Sequence, residues 1–382
     1  MTISGDCSTG RSRGSAARVA DADPRDDGAD RLRLIRTAGV GPVTYRQLLR
    51  RFGTARAAIE ALPELSRRGG GRVRTAADPR VIAREMETVA RLGARHVFHD
   101  DPDYPALLAT LADAPAVLTV RGHFPDPAAN SVAIVGARNA SAAACRFARG
   151  LAHDLAAEGT VVVSGLARGI DTAAHVGAGP ATVAVIAGGI DIAYPPENAA
   201  LQERIAAEAL LVAEMPVGTE PRARHFPHRN RIIAGWAQGT LVVEAAPKSG
   251  SLITARLAGE AGRDVMAVPG SPLDPRAQGC NLLIRDGATL IQSAHDVLEQ
   301  IRPFDPRVVR TPFVPFEAQP PADADDQARR AVVALLGPVP TPVDEVIRQS
   351  GVPAAVVQMV LLELEIAGRL DRHAGGRISL TM

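Results

Sequence analysis

Several residue types are scarce in this sequence of 382 residues, and each scarcity excludes a class of protein. There are three cysteines, Cys7, Cys145 and Cys280, and they are too widely spaced for a disulfide framework or a cysteine-ligated metal. No run of about 18 apolar residues occurs, and the first twenty residues contain no apolar segment, so we expect neither a membrane-spanning helix nor a signal peptide. These absences predict a soluble, cytoplasmic protein that has no membrane contact.

The sequence also has no large excess of positive or negative charge, because its 43 basic residues balance 42 acidic ones and the net charge is +1. Affinity for a polyanion therefore has to come from a local patch. One patch lies between Glu220 and Glu244, where no acidic side chain occurs and four arginines and two histidines surround Phe226. The Lys-Ser-Gly-Ser sequence at 248–251 follows and contains the only lysine of the chain. Its ammonium group is a compact charge that suits a phosphate pocket.

Composition divides the sequence into five segments. Residues 1–29 contain few large apolar side chains, which predicts a disordered tail. In residues 30–95 apolar residues recur at helical spacing around Gly39-Val40-Gly41, a sequence that resembles a helix-hairpin-helix turn. The favoured alternative is a helical domain of the sterile-alpha-motif type, used for packing or protein contacts. The remaining segments are a central domain at 96–302, a proline-rich linker at 303–324 and a winged-helix domain at 325–382.

The central segment alternates short apolar runs with helical ones, which predicts an α/β fold with a Rossmann-like parallel sheet. Strands are predicted at residues 132–135, 160–164, 182–187, 210–214, 240–245, 264–268 and 289–291. The helices between them are predicted to begin with the N-cap residues Ser141, Asp171, Asn198 and Ser251.

Four unusual loops fall where such a sheet binds its ligands, beyond the carboxyl ends of the strands. They are residues 136–139, residues 165–171, the basic run at 224–231 and residues 248–251. Their glycines permit close approach of the backbone, helix N-termini offer N–H donors, and arginine or lysine supplies charge. Their convergence predicts a site for a polyanion.

A nucleotide is the alternative ligand, but the loop after the strand at 132–135 lacks the later glycines of Gly-x-Gly-x-x-Gly, and Lys248 is not part of a P-loop. Phe226 suits a single-stranded nucleic acid, whose unstacked bases need an aromatic face; the alternative is that it packs under the following helix. Asp171 with His175 is the nearest candidate for a catalytic pair, although a capping role for Asp171 is favoured. We expect no metal, because the histidines have no cysteine or clustered acidic partners.

The motifs match the blocks of a known family in order. Six stretches resemble the signature blocks of the bacterial DNA-processing protein DprA, also called Smf: residues 133–138, 164–171, 194–195, 226–235, 248–255 and 267–270. They include Gly-Ala-Arg at 136–138, Phe-Pro-His-Arg-Asn-Arg at 226–231 and Lys-Ser-Gly-Ser at 248–251. The resemblance implies a Rossmann-like domain that binds single-stranded DNA, forms a homodimer and has no catalytic activity or cofactor. It further implies loading of the recombinase RecA onto incoming DNA in natural transformation, with protection of that DNA and displacement or bypass of single-strand-binding protein.

Motifs and resemblance together define the candidate DNA-binding residues, which are Gly136, Arg138, Ser164, Gly165, Arg168, Gly169, Arg224, Phe226, Arg229, Asn230, Arg231, Lys248, Ser249, Gly250 and Ser251. Some members of the family have a DNA-contacting lysine after Tyr194-Pro195, but no cation follows here. The alternative function is a nucleotide-processing enzyme of the lysine-decarboxylase-like phosphoribohydrolase type, whose Gly-Thr and Glu are missing at 269–272. Residues 352–367 of the winged-helix domain contain no basic side chain, so this domain is predicted to contact protein or to regulate. Arg369, Arg372 and Arg377 on the predicted wing leave a weak role in DNA binding as the alternative.

Overall fold

The computed structural model describes residues 24–71, 73–301, 324–373 and 376–381. A group of helices is followed by a central α/β domain and then by a winged helix. Residues 1–23 of the predicted tail at 1–29, and all but residue 324 of the predicted linker at 303–324, lie outside the described residues. In the described ranges, no helix has both the length and the apolar character needed to cross a membrane.

Buried leucines hold the N-terminal helices together. Leu34, Leu48 and Leu62 are inaccessible to solvent and belong to one hydrophobic cluster. The first helix begins at Pro24, and not at residue 30 as predicted, and its residues Leu32 and Leu34 are fully buried. The helices are α1 (Pro24–Ile35), α2 (Pro42–Phe52), α3 (Ala55–Arg68) and α4 (Pro79–Arg91).

The central domain is built on one sheet, which has nine strands within the described residues. The seven predicted strands are present and parallel to one another. Two more strands, β1 and β2, extend this parallel core beyond β6 through antiparallel pairings, so the sheet as a whole is mostly parallel, in agreement with the predicted α/β fold class. The strands are β1 (Ala94–Phe98), β2 (Val117–Gly122), β3 (Ser131–Gly136), β4 (Val161–Ser164), β5 (Thr182–Ile186), β6 (Leu210–Ala213), β7 (Gly239–Val243), β8 (Asp264–Ala267) and β9 (Thr289–Leu290).

Helices cover both faces of this sheet. They are α5 (Ala106–Ala109), α6 (Ala142–Ala157), α7 (Ile170–Ala178), α8 (Ala199–Glu208), α9 (His225–Trp236), α10 (Gly250–Glu260), α11 (Gln278–Arg285) and α12 (Ala294–Gln300). Alternate residues of β3 enter two different cores: Val132 and Ile134 pack on the α6 side, and Ala133 and Val135 pack on the α9 side. Burial on both faces explains why these strands are nearly continuous apolar runs.

The strand order is β1-β2-β6-β5-β4-β3-β7-β8-β9, so the chain reverses its direction of travel across the sheet at β3. The loops after β3 and β7 therefore diverge at a topological switch point, the usual position of a ligand site. Ser141 caps α6 as predicted. Asn198 does not cap α8, because its side-chain amide donates to the carbonyl oxygen of Leu166 at 2.9 Å.

The winged helix packs on the N-terminal helices through a shared hydrophobic core. Its elements are α13 (Asp326–Ala334), β10 (Thr341–Pro342), α14 (Val343–Ser350), α15 (Ala354–Ile366), β11 (Leu370–His373) and β12 (Arg377–Leu380). Leu62 and Leu65 of α3 belong to the same cluster as Val360 of α15. A Cβ on Gly69, just after α3, would overlap the carbonyl oxygen of Glu363 in α15. The helix that lacks basic side chains is thus largely buried within the protein.

Candidate nucleic-acid interface

A cleft of about 290 Å³ opens beyond the carboxyl ends of β3, β4 and β5. Its lining combines cations, small residues and aromatic rings: Arg138, Asn139, Gly165, Ala167, Arg168, Ile186, Ala187, Gly188, Ile192, Tyr194, Pro195, Pro196, Pro221, Phe226 and Arg229. Three of the four predicted loops, those after β3 and β4 and the basic run, therefore meet here. This agrees with the expected position of a ligand site in an open α/β sheet.

Phe226 lies in the first turn of α9, and its ring faces the cleft. The Arg138 guanidinium carbon is 5.0 Å from the ring centroid, and that of Arg229 is 6.0 Å away. The ring of Tyr194, which is 46% exposed, lies 5.8 Å from that of Phe226. Phe226 is therefore not packed under its helix; an aromatic surface flanked by two cations is available to a ligand.

Arg229 is almost completely buried in the floor of the cleft. Its Nη1 donates to the carbonyl oxygen of Val185 at 3.1 Å, and burial lowers its pKa to about 10 while attraction to Asp171 opposes that shift. A Cβ on Gly165 would overlap the guanidinium, so glycine is required there. Arg229 thus contributes a charge that is fixed in place, and it keeps that charge at neutral pH.

Asp171 and His175 do not form a catalytic pair, since other groups occupy both side chains. Asp171 accepts hydrogen bonds from the backbone N–H groups of Gly165 at 3.2 Å and Ala167 at 3.3 Å. Because α7 begins after Gly169, Asp171 lies inside the helix and braces the preceding loop, and its predicted role as the N-cap is wrong. Burial raises the pKa of Asp171, and Coulomb attraction to Arg229 lowers it.

His175 is part of a buried hydrogen-bond chain. Its Nε2 accepts from the backbone N–H of Leu166 at 3.3 Å, so Nδ1 carries the proton and donates to Thr182 Oγ1 at 2.8 Å. The Thr182 hydroxyl donates in turn to the carbonyl oxygen of Val162 at 2.7 Å. Burial lowers the pKa of His175 to about 3, so the ring is neutral and serves to join α7 to the sheet.

Two exposed arginines stand at the mouth of the cleft. Arg138 follows β3, and Arg168 follows β4. Arg168 forms an ion pair with Glu197, which lies in the stretch after Tyr194-Pro195 where no cation occurs. The charge of Arg168 is therefore partly neutralised, whereas the Arg138 guanidinium lies over the Phe226 ring.

The Lys-Ser-Gly-Ser loop adjoins the cleft through α9, where the Asn230 side chain donates to the carbonyl oxygen of Gly250 at 3.4 Å. Lys248 is exposed and has a φ of 71°, a conformation that turns the chain sharply into α10. Ser249, and not Ser251 as predicted, caps α10; its hydroxyl accepts from the Ser251 N–H and lies 2.8 Å from the Ser251 hydroxyl. The loop thus presents Lys248 at the same edge of the sheet as the cleft.

Some predicted site residues lie outside the cleft, and others make contacts that hold the protein core together. Ser164 is buried and donates to the carbonyl oxygen of Ile134 at 2.6 Å. Arg231 is buried on the side of α9 away from the cleft, where its Nη2 donates a hydrogen bond to Glu214 Oε1 at 2.5 Å. Arg224 is exposed at the start of α9, outside the cleft lining.

Gly136 and Gly169 also serve the packing. A Cβ on Gly136 would overlap the carbonyl oxygen of Val243, and a Cβ on Gly169 would overlap that of Ala137. These two glycines therefore allow loops and strands to approach one another closely.

Sequence reasoning missed Glu244, which closes the position where a Rossmann-like fold usually holds a phosphate. Its carboxylate accepts from the Ser141 N–H at 2.8 Å and from the Ser141 hydroxyl at 2.6 Å, at the N-terminus of α6. A protein carboxylate thereby occupies the anion position of the first βα turn. The only sequence signal for it is an acidic residue directly after a strand of buried apolar residues.

The hairpin turn between α1 and α2 is likewise occupied by a side chain of the protein. Arg74 Nη1 donates to the carbonyl oxygen of Ala38 at 2.6 Å, and a Cβ on Gly39 would clash with the Arg74 guanidinium. The Arg74 side chain therefore covers this turn.

Fold and site together define an α/β protein with a cationic, aromatic cleft, flanked by a helical domain and a winged helix. Models of three protein families match the chain: DNA recombination-mediator protein A at residues 95–302, the DprA-like N-terminal HHH domain at 25–88 and the DprA winged helix domain at 316–376. The chain therefore belongs to the DprA/Smf family, as the motifs indicated.

Individual relatives agree with this assignment. Protein Smf of Synechocystis sp. is 36% identical over 311 residues, which cover 73% of this chain and 78% of that protein. DNA processing protein DprA of Streptococcus pneumoniae is 45% identical over 203 residues, covering 52% and 72%. An X-ray structure of the latter protein superposes with a TM-score of 0.59 at 34% identity, covering 72% of this chain and 97% of that one.

Proposed function

We propose that the protein binds single-stranded DNA in the cleft and acts as a recombination mediator. The observation that carries the proposal is the position of Phe226, whose ring faces a cavity of about 290 Å³ between Arg138 and Arg229. An unpaired base can stack on such a ring while cations hold its phosphates, whereas the bases of a duplex are already stacked on each other. This combination favours single strands over duplex DNA.

Exposed cations around the cleft supply a path for the phosphate backbone. Arg138 lies at the mouth, Arg224 stands at the start of α9, and Lys248 lies beyond Asn230 at the same edge. Because Arg168 is already paired with Glu197, we expect Arg138 and Lys248 to hold the phosphates more strongly. Phosphate contacts carry no sequence information, so affinity should be similar for different sequences.

The same contacts argue against the alternative of a nucleotide-processing enzyme. Asp171 and His175, the nearest candidates for acid–base chemistry, are engaged by backbone and threonine groups. Glu244 fills the anion position at α6 that a nucleotide phosphate would use. We therefore infer a binding function without catalysis and without a cofactor.

Membership of the family supports the wider role. We propose that the protein, as a homodimer in the cytoplasm, protects incoming single-stranded DNA and loads RecA onto it in natural transformation, displacing or bypassing single-strand-binding protein. Size-exclusion chromatography with light scattering tests the dimer directly.

The mediator role is tested by RecA filament assembly on single-stranded DNA coated with single-strand-binding protein, followed by RecA ATPase activity. Wild-type protein should shorten the lag before ATP hydrolysis, and Phe226→Ala at the same concentration should not. Phe52→Ala is a matched control, because Phe52 also lies beside an arginine, with Arg51 5.5 Å from its ring centroid, but it belongs to α2, outside the cleft. A lag that wild-type protein leaves unchanged would contradict RecA loading even if the DNA is bound.

A further inference from the structure

Helix α9 presents arginines to two different surroundings. Arg229 and Arg231 are two residues apart and therefore about 200° apart around the helix. Arg229 lies in the cleft floor beside Phe226, whereas Arg231 is 9% exposed on the other side. The contacts of Arg231 therefore lie on the side of α9 opposite the cleft.

Glu214, the residue directly after β6, holds Arg231. Its carboxylate accepts from Arg231 Nη2 at 2.5 Å, and it is itself only 16% exposed. Asp113 is a weaker partner, 3.6 Å from Arg231 Nε. Among the described residues, no acceptor lies within hydrogen-bond distance of the buried Arg231 Nη1, so Glu214 provides most of the compensation for this charge.

Glu214 also connects α9 to the N-terminal helices. Its backbone carbonyl oxygen accepts from Arg36 Nη1 at 3.3 Å. Arg36, just after α1, is fixed by Glu85 of α4 through Nη2 at 2.8 Å and Nε at 3.1 Å. Glu85 is 6% exposed, so this second ion pair is also protected from solvent.

We propose that Glu214 is a positioning residue for the cleft: its carboxylate fixes the rotation of α9 through Arg231, and its carbonyl ties that helix to the N-terminal domain. The inference rests on the proposed binding of single-stranded DNA. Removing the Glu214 charge leaves Arg231 buried without its main partner, and such a charge is costly unless its surroundings move. A rotation of α9 towards solvent would relieve that cost and would displace Phe226 and Arg229.

The variant Glu214→Gln tests the proposal, because two explanations predict opposite signs. If Glu214 acts only through its charge, removing a carboxylate near a DNA site raises the affinity for DNA. If it positions α9, the affinity for a dT oligonucleotide should fall by about three- to tenfold. The magnitude of the salt slope should stay the same, since no phosphate contact has been removed. Glu158→Gln, which removes an exposed carboxylate at the end of α6, should leave the affinity unchanged.

A second readout needs no DNA. Trp236, the only tryptophan of the chain, lies on α9 and is 6% exposed. In Glu214→Gln the quenching of its fluorescence by acrylamide should increase, and in Glu158→Gln it should not. Wild-type protein that fails to bind the oligonucleotide would overturn the proposed function, while the quenching still tests whether Glu214 positions α9.

Arg231 variants supply the independent check in case Glu214→Gln folds poorly. Arg231→Gln should lower the affinity without changing the slope, and Arg231→Lys, which keeps a charge for Glu214, should restore most of it. A slope whose magnitude falls by about 0.7 in Arg231→Gln would make Arg231 a phosphate contact and overturn the proposal. Unchanged affinity in Glu214→Gln, with or without a change in quenching, would overturn it as well.

Discussion

Replacing Phe226 by alanine removes the aromatic surface of the cleft and leaves its charges in place. The ring contacts Tyr194, Arg138 and Arg229 at centroid distances of 5.8, 5.0 and 6.0 Å, and it is only partly buried. It is not a member of the hydrophobic cores on the two faces of the sheet. The substitution is therefore expected to act on binding more than on folding.

The size of the effect follows from base stacking. Stacking of one base on an aromatic side chain contributes about 1–3 kcal/mol, so the affinity for single-stranded DNA should fall by about 5- to 150-fold. The free energy of unfolding should fall by less than about 1 kcal/mol, which lowers the melting temperature by at most about 2–4 °C in a domain of this size. The salt slope should not change, because the proposed phosphate contacts, Arg138 and Lys248, remain.

The assay is fluorescence anisotropy with a labelled dT oligonucleotide at several salt concentrations, with melting temperatures measured on the same samples. Phe226→Tyr and Phe226→Trp should recover part of the affinity, since each keeps a ring. Phe52→Ala serves as the control; its ring packs against the hydrophobic core of the N-terminal helices, so this variant should lose stability and keep its affinity for DNA. An Phe226→Ala variant that melts early but binds normally when folded would refute the stacking role.

Three further predictions concern other parts of the molecule. Arg138→Gln and Lys248→Gln should each reduce the magnitude of the log–log salt slope for single-stranded DNA by about 0.7, and unchanged slopes in both would exclude phosphate contacts. Folding lowers the pKa of His175 from 6.5 to about 3, so between these pH values the imidazole binds a proton in the unfolded state but not in the folded state. The free energy of unfolding therefore decreases as the pH is lowered through that range. Urea unfolding at pH 7 and pH 5 should therefore show that wild-type protein loses about 2 kcal/mol more than His175→Gln, and equal losses would contradict this. Gly69→Ala should destabilise the contact between α3 and α15, which would appear as faster hydrogen exchange in α15. Gly150→Ala, at a position where a Cβ meets no neighbour, should leave the exchange in α15 unchanged. Equal exchange rates in the two variants would argue against the shared core.

Much of the fold could be predicted because its strands are buried on both faces. The runs at 132–135 and 182–187 are almost wholly Val, Ile and Ala, which few other structures explain. The two antiparallel strands were missed because Arg95 and His96 in β1, and Arg121 in β2, interrupt their apolar character. They lie outside the repeating strand and helix pattern that identified the others.

The location of the cleft could also be predicted, but the roles of its residues could not. Arg229 and Arg231 occur in one motif, and the sequence does not say which faces the ligand, because that depends on the rotation of α9 against the sheet. Glu214 and Asp171, which interact with these arginines, are 17 and 58 residues away from them along the chain. Such long-range pairs, like the Glu244 contact with Ser141, are visible only in the folded structure.

The measurement that tests the central claim most directly is a comparison of affinity for single-stranded and duplex DNA of the same length at two salt concentrations. A cleft in which one unpaired base stacks on Phe226 while Arg138 and Lys248 hold phosphates should bind the single strand at least about tenfold more tightly, with affinity that falls as salt rises. Equal or tighter binding of the duplex, or affinity that does not depend on salt, would contradict the account.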